Sequence, residues 1–410
     1  MNTLSATLPA APALPAYGVF AALLAAAGLP IYIHAPKVYV DEYGVSLAAL
    51  GAVLFGLRLF DVVQDPLLGR LAGALRHQRA LAVAGGVALM VASMLGLFAV
   101  TPPVAPLIWF ALMLAGVFSA FSFLTICFYA QGVQTAGTMG PAGHIRLARW
   151  RETGALLGVC VAAVAPVALG GFEGFALGFA ILGLGAVWLM RHQWAGTHDT
   201  AEAGMLPVLR DPLARRLLLI ALVNAAPVAV SSTLFLFFVE SRLAAPGWEG
   251  PFLLLFFLSA AVATPFWGRA AEVHGPKRVL MAGMVLAISA FGFALTLGAG
   301  DTLAFAIICI ASGAALGADM TLLPAIFAAR MARIAPGASG AFGLWSFVSK
   351  LSLAFAAIAL LPALEAAGFR AGTDNSDDAL LALSLAYGLV PCLLKLLAIG
   401  LLATTNWKED

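Results

Sequence analysis

Charge is what this chain has least of. Only 10% of its 410 residues are Asp, Glu, Lys or Arg, 62% are hydrophobic, and the mean hydropathy is +1.00. Soluble domains run near 25% charged, so a water-covered globule is excluded. Cysteine is scarce too. Cys127, Cys160, Cys309 and Cys392 each sit inside an apolar run with no close pair and no histidine at ligand spacing, which leaves no disulfide framework and no zinc site. They read as small buried hydrophobes. Of the six histidines, His77, His144, His192, His198 and His274 fall in polar connections and read as solvated surface, and His34 in "IYIHAPK" reads as interfacial. The opening "MNTLSATLPAAPALPAYG" lacks a basic n-region, so it reads as a short tail and not a cleaved signal. The net charge of +2 is spread over the connections and forms no basic patch, so no nucleic-acid partner is expected.

What is present is apolar sequence of membrane-spanning length, repeated from end to end. Twelve runs stand out, at 16–38, 45–68, 80–101, 105–135, 152–171, 174–191, 215–240, 250–268, 278–299, 302–329, 339–364 and 379–403. The expected fold class is an all-α integral membrane protein with twelve transmembrane helices, and the lipid bilayer is its surroundings. Basic residues orient it. With the N-terminus in the cytosol, the cytosolic connections carry 15 Lys and Arg, among them Arg79 and Arg151, and the opposite ones only Lys37, Arg242 and Arg370. That asymmetry predicts both termini in the cytosol, in a bacterial inner membrane, with the protein a monomer.

The polar stretch "QWAGTHDTAEAG" divides the spans six and six, giving halves 1–191 and 215–410 joined by a cytosolic connection at 192–214. Each half carries a related phrase after its second span, "PLLGRLAGALRHQR" (66–79) and "PFWGRAAEVHGPKR" (265–278). Pro66-x-x-Gly69-Arg70 matches Pro265-x-x-Gly268-Arg269 at the equivalent span end. Paired six-span halves are the repeat logic of the major facilitator fold, whose sites lie near the midplane between the halves. Gly69, Arg70, Gly268 and Arg269 then read as gating loops, tight cytosolic turns against neighbouring helix ends. Turns with stop-transfer charges are the plainer alternative.

A few charges stand where lipid should forbid them. In "RLFDVVQDPLLGR", Arg58, Asp61 and Asp65 follow at steps of three and four, with Gln64 three from Asp61, so all four share one helix face. A charge at mid-membrane costs roughly 2.5–3.5 kcal/mol on the insertion scale, so this face must look into protein or a watery cavity. Lys350 in "GLWSFVSKLSLAF" and Asp319 in "GAALGADMTLLP" are similarly stranded, whereas Lys395 near a span end reads as a snorkelling side chain. Arg58 and Lys350 against Asp61, Asp65 and Asp319 leave one negative charge, which a bound monovalent cation or a proton would neutralise. Two carboxylates, an amide and a nearby hydroxyl supply hard oxygen ligands. A structural ion-pair network is the competing reading. Lys350, in the other half from Asp61, would tether a second-span aspartate when the cation is absent.

The stretch R-x-x-D-x-x-x-D-P-x-x-G, matched by Arg58, Asp61, Asp65, Pro66 and Gly69, resembles the second-span signature of the glycoside–pentoside–hexuronide:cation symporters, of which the melibiose carrier is typical. "HIRLARWRETGALLG" (144–158) is similar to that family's basic loop entering span 5, and "GAFGLWSFVSKLSLAF" (340–355) to its span 11, lysine included. The resemblance implies a twelve-helix symporter coupled to sodium or protons, with no cofactor beyond that coupling ion. It places Asp61, Asp65, Gln64 and Thr125 at the cation site, with Arg58 and Lys350 beside it. The chain departs from the pattern at four places, one being "MTLLPAIF" after Asp319, where the family often has an acidic string. Gln64 stands where the melibiose carrier has Asn, span 1 has no acid, and the span 4 sugar aspartate falls at or near Phe128.

A channel would need a filter loop or a symmetric ring of charges, and an enzyme a nucleophile with its base or a metal constellation. The chain has none of these, so a transporter by alternating access is expected. The presumed cavity offers Phe121, Phe128, Tyr129 and Trp345 with Asp319, Gln131, Gln134 and Asn224. A small sugar or glycoside is the default substrate, with weak transport of melibiose-type disaccharides. An amphiphile such as a lysophospholipid, or an organic anion, is the alternative.

Overall fold

The computed structural model describes residues 13–28, 35–194, 205–334, 339–370 and 375–405. His34 and the middle of the 192–214 connection lie outside them, as do the side chains of Arg58, Asp61 and Lys350. With no water in a bilayer core, each spanning segment must satisfy its own backbone, which helices do. The chain obliges with α1 Leu14–Ala26, α2 Ala35–Asp41, α3 Leu47–Ala74, α4 Arg79–Phe98, α5 Pro106–Gly137, α6 Gly143–Ala168 and α7 Phe172–Met190. The remainder comprises α8 Met205–Arg210, α9 Pro212–Phe237, α10 Glu249–His274, α11 Pro276–Ala294, α12 Thr302–Ile334, α13 Ser339–Ala366, α14 Asp377–Ser384 and α15 Val390–Ala403. A π turn at Phe238–Arg242 extends α9, and another at Leu385–Leu389 welds α14 to α15.

Among the described residues, nine helices are long and apolar enough to cross a membrane. The 28-residue α3 and α13 and the apolar α1 complete the twelve. Local signals set the ends. Ser46 and Asp211 cap α3 and α9, accepting from Ala49 N at 3.2 Å and Ala214 N at 2.7 Å. Pro106, Pro212 and Pro276 open helices, where no intrahelical N–H is needed. Only Gly275, at φ 84°, separates α10 from α11, a conformation that glycine alone adopts freely.

Several helices run further than hydropathy suggests. α6 begins at Gly143, nine residues before the predicted span, and carries Arg146, Arg149, Arg151 and Glu152 inside the helix. α3 continues to Ala74 and α10 to His274, so Gly69-Arg70 and Gly268-Arg269 are helical and not turns. The pattern repeats between them: each glycine is buried and each arginine exposed. Arg, Leu and Ala are good helix formers, and nothing ends these helices until the next glycine or the chain reversal.

In lipid, helix association rests on close packing, and both sets of six show a small-residue seam. A Cβ on Gly154 of α6 would lie 2.0 Å from the Gly18 carbonyl oxygen of α1, and one on Gly158 2.4 Å from that of Ala22. In the second set, Gly313 and Gly317 of α12 would place theirs 2.2 Å and 2.8 Å from the Phe256 and Ala260 carbonyl oxygens of α10. The two sets meet through α3 against α13 and α6 against α10 and α12. One apolar cluster is confined to residues 16–194 and a second to 229–392. The clusters that join the sets lie elsewhere. Ile145 and Ala148 pack with Leu280, Leu322 and Ala398; Ala130 and Val133 with Phe327 and Phe342; Leu156 with Ala260 and Leu316. All lie at mid-depth or toward the end of the bundle that carries Arg146, Arg149, Lys277 and Arg330, hereafter the basic end.

Candidate functional site

On the second spanning helix, α3, two of the four polar side chains are described. Gln64 and Asp65 are 6% and 1% exposed. Asp65 Oδ2 accepts from Ser346 Oγ of α13 at 3.1 Å, and Gln64 Oε1 accepts from Ser119 Oγ of α5 at 2.9 Å. Asp65 therefore bridges the two sets of six. Thr125 Oγ1, on α5, is buried with no hydrogen-bond partner. The helix α3 carries Arg58 and Asp61, and α13 carries Lys350, but contacts of these side chains lie outside the described residues.

A second polar group stands on α5 and α6, and the sequence reading had put its basic members in loops. Arg151 and Glu152 are 4% and 3% exposed. Arg151 Nε donates to Glu152 Oε1 at 2.7 Å, and its guanidinium lies 3.8 Å from the Tyr129 ring centroid. Tyr129 Oη donates to the same carboxylate at 3.4 Å. Arg151 Nη2, Thr153 Oγ1 and Gln134 Oε1 are buried and make no hydrogen bond. Native structures rarely leave such atoms unsatisfied, so this cluster can offer donors and acceptors to a solute. Gln131, two residues after Tyr129 on α5, accepts at Oε1 from Arg79 Nη1 of α4 at 3.2 Å, Arg79 itself being buried. The helical start of α6 is what sequence reading missed: "HIRLARWRE" has no breaker before Glu152.

The third group corrects two expectations. Lys395 does not snorkel. It is 2% exposed, donates to Asn224 Oδ1 at 2.6 Å and is ion-paired with Asp319. The charge count that left one negative charge for a cation omitted this lysine. With Lys395 included, Asp319 is compensated inside α9, α12 and α15, while its Oδ1 has no partner.

Aromatics divide similarly. Tyr129 packs on Phe342 across the two sets at 5.5 Å, and Trp345 on Phe327 at 4.8 Å. Phe128 instead is 1% exposed between Tyr17 and Phe20, inside the first apolar cluster. Its large ring fills core there rather than lining a cavity.

At the basic end, Glu272 of α10 accepts from Arg146 Nε and Arg149 Nη1 of α6, both at 3.1 Å. A Cβ on Gly268 would lie 2.8 Å from Arg149 Cδ, so that glycine makes room for the arginine. Nearby, Arg330 grips Asp211 through two bonds, of 3.2 and 2.5 Å. The Arg330 guanidinium holds the Asp211 carboxyl below its usual range. A crevice of about 1080 Å³ opens beside them, lined by His144, Asp211, Glu272 and Arg330 among others.

Buried charges on facing helices, two packed sets of six, and an ion-paired closure at one end describe a transporter of the major facilitator fold, and not an enzyme. Solved structures agree on the fold. A bacterial homologue of the iron transporter ferroportin, in its outward-facing state, aligns at TM-score 0.69 and 17% identity, over 94% of this chain and 99% of that one. The human organic anion transporter MFSD10 (TETRAN) aligns at 0.65 and 15%, over 95% and 98%. The E. coli fucose:proton symporter FucP aligns at 0.66 and 14%, over 94% and 98%. A search of curated sequences finds no match. The family model described as MFS/sugar transport protein matches residues 14–409, and the chain belongs to that family of the major facilitator superfamily.

Proposed function

We propose that this transporter is a symporter of the melibiose-carrier-like branch, driven by sodium or protons and carrying a small sugar or glycoside by alternating access. One observation carries the coupling: Asp65 is 1% exposed, yet it is bonded across to the opposite half. A carboxylate in that place changes its bonding whenever a cation binds or leaves, and so ties ion binding to the contact between halves. The halves are residues 1–191 and 215–410, and the protein works as a monomer. The basic end faces the cytosol of a bacterial inner membrane, by the bias of Lys and Arg. Ion pairs and apolar clusters hold that end together, which corresponds to a site open to the outside. Carriers of fucose and of organic anions share this fold, so the fold does not choose the solute.

The second reading, an organic anion or an anionic amphiphile, is favoured by Arg151. Its Nη2 is buried and unbonded, over the Tyr129 ring. A guanidinium fork suits a carboxylate or phosphate better than a lone hydroxyl. Proteoliposomes decide both points. Uptake of sugars, organic acids and lysolipids is measured under a sodium gradient at fixed pH, then under a pH gradient without sodium. Asp61→Asn and Asp65→Asn should each abolish accumulation and at least partly spare counterflow; normal accumulation by both variants would make the α3 carboxylates structural. Tight disaccharide uptake would overturn the expectation drawn from the absent span 1 and span 4 acids.

A further inference from the structure

The hydroxyl that meets Asp65 belongs to the other half, and that placement has a consequence for where an ion can sit. We infer that Ser346 is a ligand of the coupling cation, so that the cation site is completed from α13 only while the halves are together at the basic end. The inference rests on the symport reading above and narrows it to a sodium-like metal cation.

The geometry is specific. Ser346 Oγ and Asp65 Oδ2 stand 3.1 Å apart, each on a helix of a different half. The backbone is close as well: a Cβ on Gly343, one turn earlier on α13, would lie 3.5 Å from the Asp65 carbonyl oxygen. Two oxygens that each lie about 2.3–2.6 Å from one hard cation are themselves roughly 3 Å apart. The separation therefore suits a shared ion as well as a hydrogen bond. A serine hydroxyl is also the right group for both duties. It donates one hydrogen to the carboxylate when no cation is present, and on rotation it presents a lone pair to a cation. Gln64 Oε1, one residue before Asp65 and 6% exposed, is a further hard oxygen on α3. A cation held this way ties α3 to α13. Leaving it requires the two helices to part, which is the motion that opens the basic end.

A hydroxyl that only bonds the ion-free carboxylate competes with the cation, so its loss would leave or lower the sodium midpoint, whereas loss of a ligand raises it. The purified full-length protein is melted in increasing NaCl, with choline chloride holding ionic strength constant. Wild type should be stabilised by sodium with a saturable midpoint. Ser346→Ala should raise that midpoint about tenfold or more, the scale of losing a group that ligates or orients a metal ligand. Ser346→Thr, which keeps the hydroxyl, should stay close to wild type. Ser349→Ala is the control for α13, since the Ser349 hydroxyl bonds the Trp345 carbonyl of its own helix. An unchanged midpoint in Ser346→Ala would overturn the assignment and leave sodium symport standing. Wild type that ignores sodium but accumulates substrate on a proton gradient would also overturn it, with symport again intact. Wild type driven by neither gradient would remove the symport reading and this one with it. If Ser346→Ala does not fold, the Thr variant still discriminates. A Thr midpoint near wild type supports a hydroxyl ligand, and one raised about tenfold although the hydroxyl is kept rejects it.

Discussion

Single side chains are most informative here when they are charged and hidden. Lys395 is the clearest case. By position it is a span-end lysine free to reach the interface, and only its neighbours on α9 and α12 reveal that it serves Asp319 and Asn224. Arg151 and Glu152 are adjacent in the chain and look like part of a basic loop until the helix beneath them is known. Asp211 offers a test at this scale, since it both caps α9 and holds Arg330. Its folded pKa is depressed, so its contribution is present above the unfolded value near 3.8 and is lost as pH falls through the lower folded value. Thermal melts should thus show no dependence on this group at neutral pH and a loss below about pH 4. Asp211→Ala should lose about 1 kcal/mol already at pH 7, the usual scale for a cap, and flatten that acidic limb.

Elements extend this reasoning from charge to shape. Hydropathy finds where helices cross but not where they stop, because polar helix formers continue a helix beyond the apolar run. The overrun of α6 is what carries Arg146 and Arg149 to Glu272 and buries Arg151. The seams are equally geometric. Gly154 approaches the α1 backbone so closely that any side chain forces the helices apart. Gly154→Val should therefore destabilise by about 1–3 kcal/mol or more, the scale of overpacking, seen as a lower melting temperature in detergent. Gly185, beside which an added Cβ meets nothing within 4 Å, is the matched control. Equal effects at both positions would refute the close-approach argument.

At the scale of the whole molecule, the question is which end is closed and by what. The clusters joining the two sets of helices gather at mid-depth and the basic end, and Glu272 adds ion pairs there. Arg146 is half exposed, so that pair is weak, while the partly buried Arg149 pair is the stronger arm. Glu272→Gln keeps acceptors but removes the charge. It should shift the balance toward opening of the basic end by about 1 kcal/mol, roughly fivefold in population. Spin labels on the basic ends of α6 and α10 would show a longer distance gaining weight. An unchanged distribution would leave closure to the apolar clusters alone.

Composition and periodicity by themselves determined that this chain lives in a membrane, crosses it about twelve times and hides Asp65 on its second span. Those features follow from the solvent: lipid demands long apolar helices, and a charge there must face inward wherever the helices lie. The same local logic, read with the second-span resemblance, reached Asp65 and Gln64. Tertiary structure alone decided which charges meet. That Lys395 compensates Asp319, that Ser346 reaches Asp65, and that Glu272 collects two arginines all depend on contacts between residues 76 to 281 positions apart. Phe128 is the complementary example, since a ring on a cavity-facing span and a ring in a core have the same sequence context. Side-chain spacing says which residues share a helix face, but only the packing of helices says what that face touches.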